Sequence, residues 1–224
     1  MSDAPAPLDL NAPAFGPEAF AAATGATAEV LADLVAYKQL IATWNTRMNL
    51  VGPSALDAFW LRHAYDSAQL LPHAPNAKVW ADLGAGAGLP GIVLAILLKG
   101  RPGARVHLVE SMAKRCLFLR EVGGTLDLPV EVHNRRAEDV RIEGVEVVTA
   151  RACAPLVRLL GFAWPLLGGR DPKQTTGLFL KGVTVEEELT EARAVWDFQL
   201  DRMPSLSDPS GRILRIERLR RARS

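Results

Sequence analysis

The sequence predicts an α/β protein with a mostly parallel β-sheet, an antiparallel last strand and a helical segment ahead of the sheet. From residue 78 onward, short apolar runs alternate with helix-length segments, which is the pattern of parallel strands joined by crossover helices. The last two strand-like runs alternate in polarity and are joined by a turn-rich segment, which indicates a hairpin. A glycine-rich loop follows the first strand, at the edge of the sheet where such folds bind ligands.

Length and composition fit a folded protein with its own core. The 224 residues include 49% hydrophobic and 23% charged side chains, and the net charge of +1 does not identify a substrate. We expect a disordered N-terminus over 1–16, an N-terminal helical extension over 17–76 and the sheet domain over 77–224. The basic C-terminal end suits either solvent or a phosphate-bearing partner.

The helical extension is expected to begin near Pro17. Apolar residues between Val30 and Met48 recur at spacings of three and four, which predicts one buried face of an amphipathic helix. A second helix is expected to begin with Ser54 as its N-cap and to end before Pro72. The extension therefore has a face that can pack against the sheet domain.

The sheet domain is predicted to contain five strand–helix units and the terminal hairpin. Strands are expected at 78–83, 105–110, 130–133, 145–150 and 177–181, helices near 90–99, 112–124, 137–140, 155–167 and 185–195, and hairpin strands at 198–203 and 212–219. Five such units followed by a hairpin are the layout of the S-adenosylmethionine-dependent methyltransferases, whose last strand inserts antiparallel into the sheet.

The loop after the first strand carries the spacing of a dinucleotide site at Gly86, Gly88 and Gly91. Asp82 ends the strand, however, and Gly84 follows two residues later, so a carboxylate is expected to point into the loop. A carboxylate there would repel a pyrophosphate and suits a cation or a ligand rich in hydroxyl groups. The loop therefore favours S-adenosylmethionine, which has an ammonium and a sulfonium but no phosphate, over the cofactor of an oxidoreductase.

A second acidic residue supports the same cofactor. Glu110 ends the next predicted strand, about 20 residues beyond the glycines, where doubly wound nucleotide folds place a carboxylate that binds ribose hydroxyls. Asp82, Gly86, Gly88 and Glu110 are therefore candidate cofactor-binding residues.

No metal site is expected from the spacing of the possible ligands. The two cysteines have no C-x-x-C spacing and are expected to be reduced, and the four histidines have no helical ligand spacing. The cysteines are Cys116 and Cys153, and the histidines are His63, His73, His107 and His133.

Without a signal peptide or a long apolar helix, the protein is expected to be cytoplasmic and to bind no membrane.

Seven short motifs follow one another in order between about residue 40 and residue 182. They are Trp44-Asn45 with Met48-Asn49-Leu50-Val51, Arg62-His63 with Asp66-Ser67, the glycine loop ending Leu89-Pro90-Gly91, Lys114-Arg115 with Phe118-Leu119, Arg136-Ala137-Glu138, Ala150-Arg151-Ala152 and Leu180-Lys181-Gly182. Together they resemble the bacterial ribosomal RNA small subunit methyltransferase G family, also called glucose-inhibited division protein B. The chain departs from the family pattern at Glu110, where aspartate is usual.

The resemblance implies a Rossmann-like, S-adenosylmethionine-dependent methyltransferase that methylates N7 of a guanine in the 530 loop of 16S rRNA. It implies 16S rRNA or the 30S ribosomal subunit as partner and no DNA, and nothing in the chain demands more than a monomer. Because N7 has a free lone pair, the reaction needs no general base, which agrees with the lack of a catalytic triad. Two alternatives remain, a small-molecule methyltransferase and a non-catalytic RNA-binding protein with this fold.

The resemblance also implies roles for individual residues. Gly84 and Leu89 would line the methionine and ribose of the cofactor, Ala137 and Glu138 would contact its adenine, and Arg151 would lie between cofactor and substrate. Arg151 and Lys181 are the expected catalytic residues. Cations at the carboxyl edge of the sheet are expected to bind RNA phosphates, namely Lys114, Arg115, Arg136 and Lys181.

Overall fold

The computed structural model describes residues 15–168 and 175–222, so most of the predicted disordered N-terminus lies outside the described residues. The helices are α1 (Pro17–Thr24), α2 (Ala28–Asn45), α3 (Asp66–Ala68), α4 (Gly91–Leu98), α5 (Ala113–Thr125), α6 (Leu156–Leu167) and α7 (Val185–Arg193). The strands are β1 (Val79–Leu83), β2 (Arg105–Glu110), β3 (Val130–Asn134), β4 (Val147–Arg151), β5 (Thr176–Lys181), β6 (Trp196–Pro204) and β7 (Arg212–Arg221).

All seven strands form one sheet in the order β3-β2-β1-β4-β5-β7-β6. The first five strands are parallel, and β7 pairs antiparallel with both β5 and β6. The predicted fold class is therefore confirmed, including the antiparallel insertion of the last strand. Because the strand order reverses beside β1, the loops after β1 and β4 meet at the carboxyl edge, where open α/β sheets bind ligands.

Apolar side chains cover both faces of the sheet and form two core clusters. One cluster contains α4 and α5 together with the buried face of the N-terminal extension, and the other contains α6 and α7. Helix α4 is buried on nearly every side because it lies between the sheet and α2. None of the described helices combines the length and apolar character needed to cross a membrane.

The N-terminal extension agrees with the sequence prediction in its first part and differs in its second. Helix α1 begins at Pro17 and ends where Gly25 adopts a left-handed conformation (φ 71°), Thr27 then caps α2, and the apolar stripe that begins at Val30 lies on α2. The prediction of a regular helix capped by Ser54 was wrong. The segment instead consists of a 3₁₀ turn at Pro53–Ala55, a π-helical stretch at Phe59–Tyr65, α3 and a further 3₁₀ turn, and Ser54 makes no capping hydrogen bond.

Candidate active site

The loop between β1 and α4 opens at the carboxyl edge of the sheet. Gly84, Gly86 and Gly88 all have positive φ angles, between 56° and 90°, which L-residues rarely adopt. The amide of Gly84 donates to the carbonyl of Val109 at 2.9 Å and so attaches the loop to the neighbouring strand. A Cβ on Gly86 would meet only a carbonyl oxygen at 3.7 Å, whereas one on Gly84 would lie 2.6 Å from the sulfur of Cys153. Gly86 therefore borders open space beside the loop.

Gly88 packs against α2 of the N-terminal extension. A Cβ at this position would lie 2.4 Å from Ile92 and 3.1 Å from the hydroxyl of Tyr37. Tyr37, fully buried on α2, donates its hydroxyl hydrogen bond to the carbonyl of Ala87. Tyr37 belongs to the apolar face predicted between Val30 and Met48, and through this hydrogen bond it also fixes the glycine loop. Gly88 is needed here for packing against the protein itself.

Asp82 lies beneath the loop, fully buried at the end of β1. Its Oδ2 accepts a hydrogen bond from the amide of Gly91 at 2.9 Å, where the carboxylate caps the start of α4. Its Oδ1 has no partner among the described residues, and the same holds for the hydroxyl of Thr149, its neighbour across β1 and β4. The expectation that the carboxylate points into the open cradle is therefore corrected: Asp82 supports the loop from within.

Burial raises the pKa of Asp82 to about 7, against the opposing influence of the Gly91 amide and of Arg151. In the unfolded chain the same carboxyl has a pKa near 4. Unfolding therefore releases a proton between about pH 4 and pH 7, and the free energy of unfolding contributed by this group falls as the pH rises through that interval.

We expect the Asp82→Asn variant to lack this contribution, because an amide can still accept the Gly91 hydrogen bond and never ionises. Relative to the unsubstituted protein, its free energy of unfolding should rise by at most about 1.4 kcal/mol per pH unit between pH 4 and 7 and then stay level. Urea denaturation of both proteins from pH 4 to 8.5 measures this difference. Parallel stability curves over the whole range would show that Asp82 is already ionised in the folded protein.

Glu110 connects the glycine loop with the loop that follows β2. Its Oε2 accepts a hydrogen bond from the amide of Gly86 at 3.1 Å, and its Oε1 accepts one from the amide of Met112 at 2.8 Å. The guanidinium of Arg115 lies 3.7 Å away. The structure thus places Glu110 against the glycine loop, with lone pairs remaining on both carboxylate oxygens, and its contact with ribose hydroxyls stays a prediction.

Arg151, the last residue of β4, contacts the N-terminal extension. Its guanidinium donates to the carbonyl of Arg62 at 2.7 Å and to Oδ2 of Asp66 at 3.2 Å, and it lies 3.0 Å from Nδ1 of His63. Burial and the adjacent Arg151 lower the pKa of His63 to about 4, so this imidazole is neutral near pH 7. Asp66 also accepts a hydrogen bond from Ser207 at 2.6 Å, which brings the β6–β7 turn to the same point.

A cavity of about 880 Å³ lies at the carboxyl ends of β4 and β5, and it is lined by Cys153, the residue that packs against Gly84 of the glycine loop. The extension, the start of α7 and the β6–β7 turn form its other walls, and its lining includes Arg62, Asp66, Arg151, Cys153, Glu187 and Asp208. This volume is enough for a nucleoside-sized group. The cavity holds cations and carboxylates together, so it suits a ligand that has both anionic and hydrogen-bonding groups.

Lys181 is not a free cation in this structure, contrary to its expected role in RNA binding. Its side chain is only 8% exposed and forms an ion pair with Glu188 at 2.5 Å. The ammonium also donates to the carbonyl of Ala154 at 2.9 Å. The side chain of Lys181 therefore points into the protein, and its two contacts connect the end of β5 with α7 and with the loop after β4.

The other predicted RNA-binding residues lie beyond β2 and β3. Lys114 and Arg136 are exposed and form no ion pair with any residue that the structure describes. Arg115 forms a long ion pair with Glu110, at 3.7 Å. Ala137 and Glu138 form a 3₁₀ turn directly after Arg136, with Ala137 half-buried and Glu138 exposed. The predicted site residues therefore form two groups at one edge, one around the glycine loop and one around Arg151 and the cavity.

Two of the histidines that looked scattered in the sequence are neighbours in the sheet. His107 on β2 lies with its Nδ1 3.0 Å from Nε2 of His133 on β3. Glu131, also on β3, is the register partner of His107. Burial lowers the pKa of His107 to about 4 and also lowers that of His133. Helical ligand spacing was the wrong test for these residues because they are related across two strands.

Comparison with known proteins gives a match to the family model of rRNA small subunit methyltransferase G over residues 30–213. A protein named ribosomal RNA small subunit methyltransferase G from Caulobacter vibrioides (strain NA1000 / CB15N) is 58% identical over 204 residues, which cover 91% of this chain and 92% of the relative. One of the same name from Parvibaculum lavamentivorans is 45% identical over 90% of this chain and 89% of the relative. The chain belongs to this family.

Solved structures of low sequence identity share the fold of this family member. A methyltransferase from Aquifex aeolicus described as SAM-dependent superposes with a TM-score of 0.55 and 14% identity, covering 77% of this chain and 97% of that one. An O-methyltransferase from Bacillus cereus, solved in complex with SAH, superposes with a TM-score of 0.54 and 18% identity, covering 91% of this chain and all of that one. The family match includes the α2–β1 segment, so the contacts of Tyr37 and Asp66 lie inside the region that defines the family.

Proposed function

We propose that this protein transfers a methyl group from S-adenosylmethionine to N7 of a guanine in the 530 loop of 16S rRNA. Its membership in the rRNA small subunit methyltransferase G family carries the proposal, and the open cradle at Gly86 beside a nucleoside-sized cavity supports it. The protein would act in the cytoplasm as a monomer, on 16S rRNA or on the 30S subunit.

The residues around the glycine loop suit this cofactor. A ligand backed by the open space at Gly86 would find the carboxylate of Glu110, which retains acceptor capacity for ribose hydroxyls. The carboxyl of Asp82 is buried behind the loop, its Oδ1 has no partner among the described residues, and above its pKa of about 7 it carries a negative charge that favours a cationic ligand there. We assign the methionine and ribose to Gly84, Gly86 and the backbone at Leu89, and the adenine to the turn at Ala137 and Glu138.

When bound, S-adenosylmethionine supplies a methyl group activated by its sulfonium. Guanine N7 has a free lone pair, so the chain needs no group to remove a proton from it. The protein's task is alignment, and well-oriented reactants gain roughly 7–11 kcal/mol in this way. Arg151 is placed for that task because its guanidinium joins β4 to the extension at the cavity wall.

RNA contacts would come from the exposed cations of the carboxyl edge. Lys114 and Arg136 flank the adenine side of the cradle. Arg62 lines the cavity and is paired with Asp208 at 2.8 Å, but its side chain is 49% exposed and can still reach a phosphate. Phosphate contacts of this kind position an RNA without reading its sequence and weaken as salt increases. Lys181 supports the cavity wall from inside and has no part in these contacts.

The test is incubation of the protein with methyl-labelled S-adenosylmethionine and either free 16S rRNA or 30S particles from cells lacking this methylation, followed by mapping of the label. Label at N7 of one guanine in the 530 loop is the expected result. Label at another base, or at an exocyclic amine, would overturn the assigned target. A folded protein that binds the cofactor and labels only small molecules would instead establish the small-molecule alternative.

A further inference from the structure

His107, Glu131 and His133 form a compact group of side chains, the β2–β3 cluster, away from the glycine loop. His107 is three residues before Glu110, so the cluster lies roughly 10 Å from the carboxyl edge of the sheet. Val106 and Leu108, which flank His107, belong to the core cluster around α4 and α5. Side chains alternate along a strand, so His107 projects from the opposite face of the sheet.

The ligand atoms of the cluster lie within about 0.3 Å of the separations that a shared tetrahedral ion would impose. Nδ1 of His107 and Nε2 of His133 are 3.0 Å apart, and carboxylate oxygens of Glu131 lie 3.6 and 3.7 Å from these two nitrogens. Bond lengths of about 2.0–2.2 Å in a tetrahedral zinc site place ligand atoms roughly 3.3–3.6 Å from one another. A hydrogen bond between the imidazoles accounts for the first distance but not for the position of the carboxylate, which is too far from either ring to accept one.

We propose that the β2–β3 cluster binds one divalent ion of the zinc type through two imidazole nitrogens and one carboxylate oxygen. Two histidines and a glutamate are an established zinc ligand set. Ions that prefer thiolate ligands, and ions that prefer ligands with oxygen atoms only, fit this set poorly. Glu131 has its side chain 48% exposed, so water can complete the coordination from that side.

The strands hold the three ligands in place before any ion arrives. In the parallel ladder His107 is the register partner of Glu131, and His133 follows two residues later on the same face of β3. Arg105 competes for Glu131 with a contact of 3.3 Å, but this arginine is 61% exposed and such exposed pairs are weak. A bound ion would fasten the edge strand β3 to β2 and so steady the turn at Arg136 that follows it. The binding of the ion itself does not rest on the proposed methyl transfer.

The experiment uses the full-length, tag-free protein, freed of metal with a chelator. Zinc affinity is measured by competition with a chromogenic chelator, and cobalt is added separately as a spectroscopic probe. We expect one zinc ion per chain, a cobalt absorption band without thiolate charge transfer, and a higher melting temperature with zinc. Replacing a residue that hydrogen-bonds to a metal ligand typically weakens metal binding roughly tenfold or more, and replacing the ligand itself weakens it at least as much. The variants Glu131→Gln and His133→Gln should therefore each bind zinc at least about tenfold more weakly.

The controls are His73→Gln, which removes a histidine whose backbone contacts Arg215 on β7, a strand separated from β2 by three others, and Cys153→Ser, which removes a half-buried thiol. Both should bind zinc like the unsubstituted chain. Glu131→Gln changes only an exposed side chain, so it reports on the site even if His133→Gln melts at a lower temperature. Unchanged zinc affinity in Glu131→Gln, loss of binding in Cys153→Ser, or no binding at micromolar zinc would each overturn the proposal.

Discussion

Replacing Gly86 with valine is expected to lower the affinity for S-adenosylmethionine at least about 100-fold, roughly 2.7 kcal/mol, in a protein that still folds. The protein itself leaves room for the new side chain, since a Cβ at Gly86 would have no neighbour closer than 3.7 Å. That room is the space proposed for the cofactor, so the valine and the ligand cannot both occupy it. Isothermal titration calorimetry with S-adenosylmethionine measures the loss.

A positive φ angle alone destabilises a valine, so the measurement needs a control with the same strain. Gly144 has a φ of 73° with nothing within 4 Å of its Cβ position, and it lies before β4, at the opposite edge of the sheet. Gly86→Val and Gly144→Val should both lose about 1–2 kcal/mol of folding stability. Only the first should lose cofactor affinity. Equal affinities in the two folded variants would exclude the glycine loop as the cradle.

The sheet domain could be predicted closely because its parallel strands, apart from the edge strand β3, are largely buried on both faces. Such strands leave continuous apolar runs in the sequence, and the strand expected at 105–110 coincides with β2. The hairpin was predicted from alternation, although β6 and β7 each extend two residues further at their outer ends and β6 extends one residue further at the turn. The prediction for the segment before the sheet was wrong because the helical periodicity of its sequence persists through the π-helical stretch at Phe59–Tyr65, and no local sequence signal marks that stretch.

The part of the candidate site that could be predicted consists of residues at the ends of strands that are consecutive in the chain and adjacent in the sheet. Glu110 reaches the glycine loop, as the positions of two consecutive strand ends require. The partners of Lys181 and Asp82 were not predictable, because burial at a strand end depends on what later packs above it. Glu188 comes from α7, and the amide that Asp82 caps belongs to α4. For the same reason the contact between Tyr37 and the loop, across 50 residues, left no pattern in the sequence.

The substitution Arg151→Met is expected to slow single-turnover methylation of 16S rRNA at least about 100-fold, because a misplacement of about 1 Å at a reacting centre has that effect. Arg151 ties β4 to the extension through the carbonyl of Arg62 and the carboxylate of Asp66, and both contacts lie at the cavity wall. Cofactor affinity should fall less than tenfold, because the glycine loop and Glu110 remain in place. Asp66→Asn should reproduce a smaller part of the same loss, because Ser207 still holds that side chain.

Arg202→Met is the matched control for Arg151→Met, since Arg202 forms a comparable ion pair with Glu186 that is more than half exposed. This variant should keep its methylation rate within about twofold, as expected for an exposed pair worth less than 1 kcal/mol. If Arg151→Met loses cofactor affinity as strongly as rate, Arg151 binds the cofactor directly and does not align the extension. If it loses only folding stability, the contacts with Arg62 and Asp66 hold the fold together without serving methyl transfer.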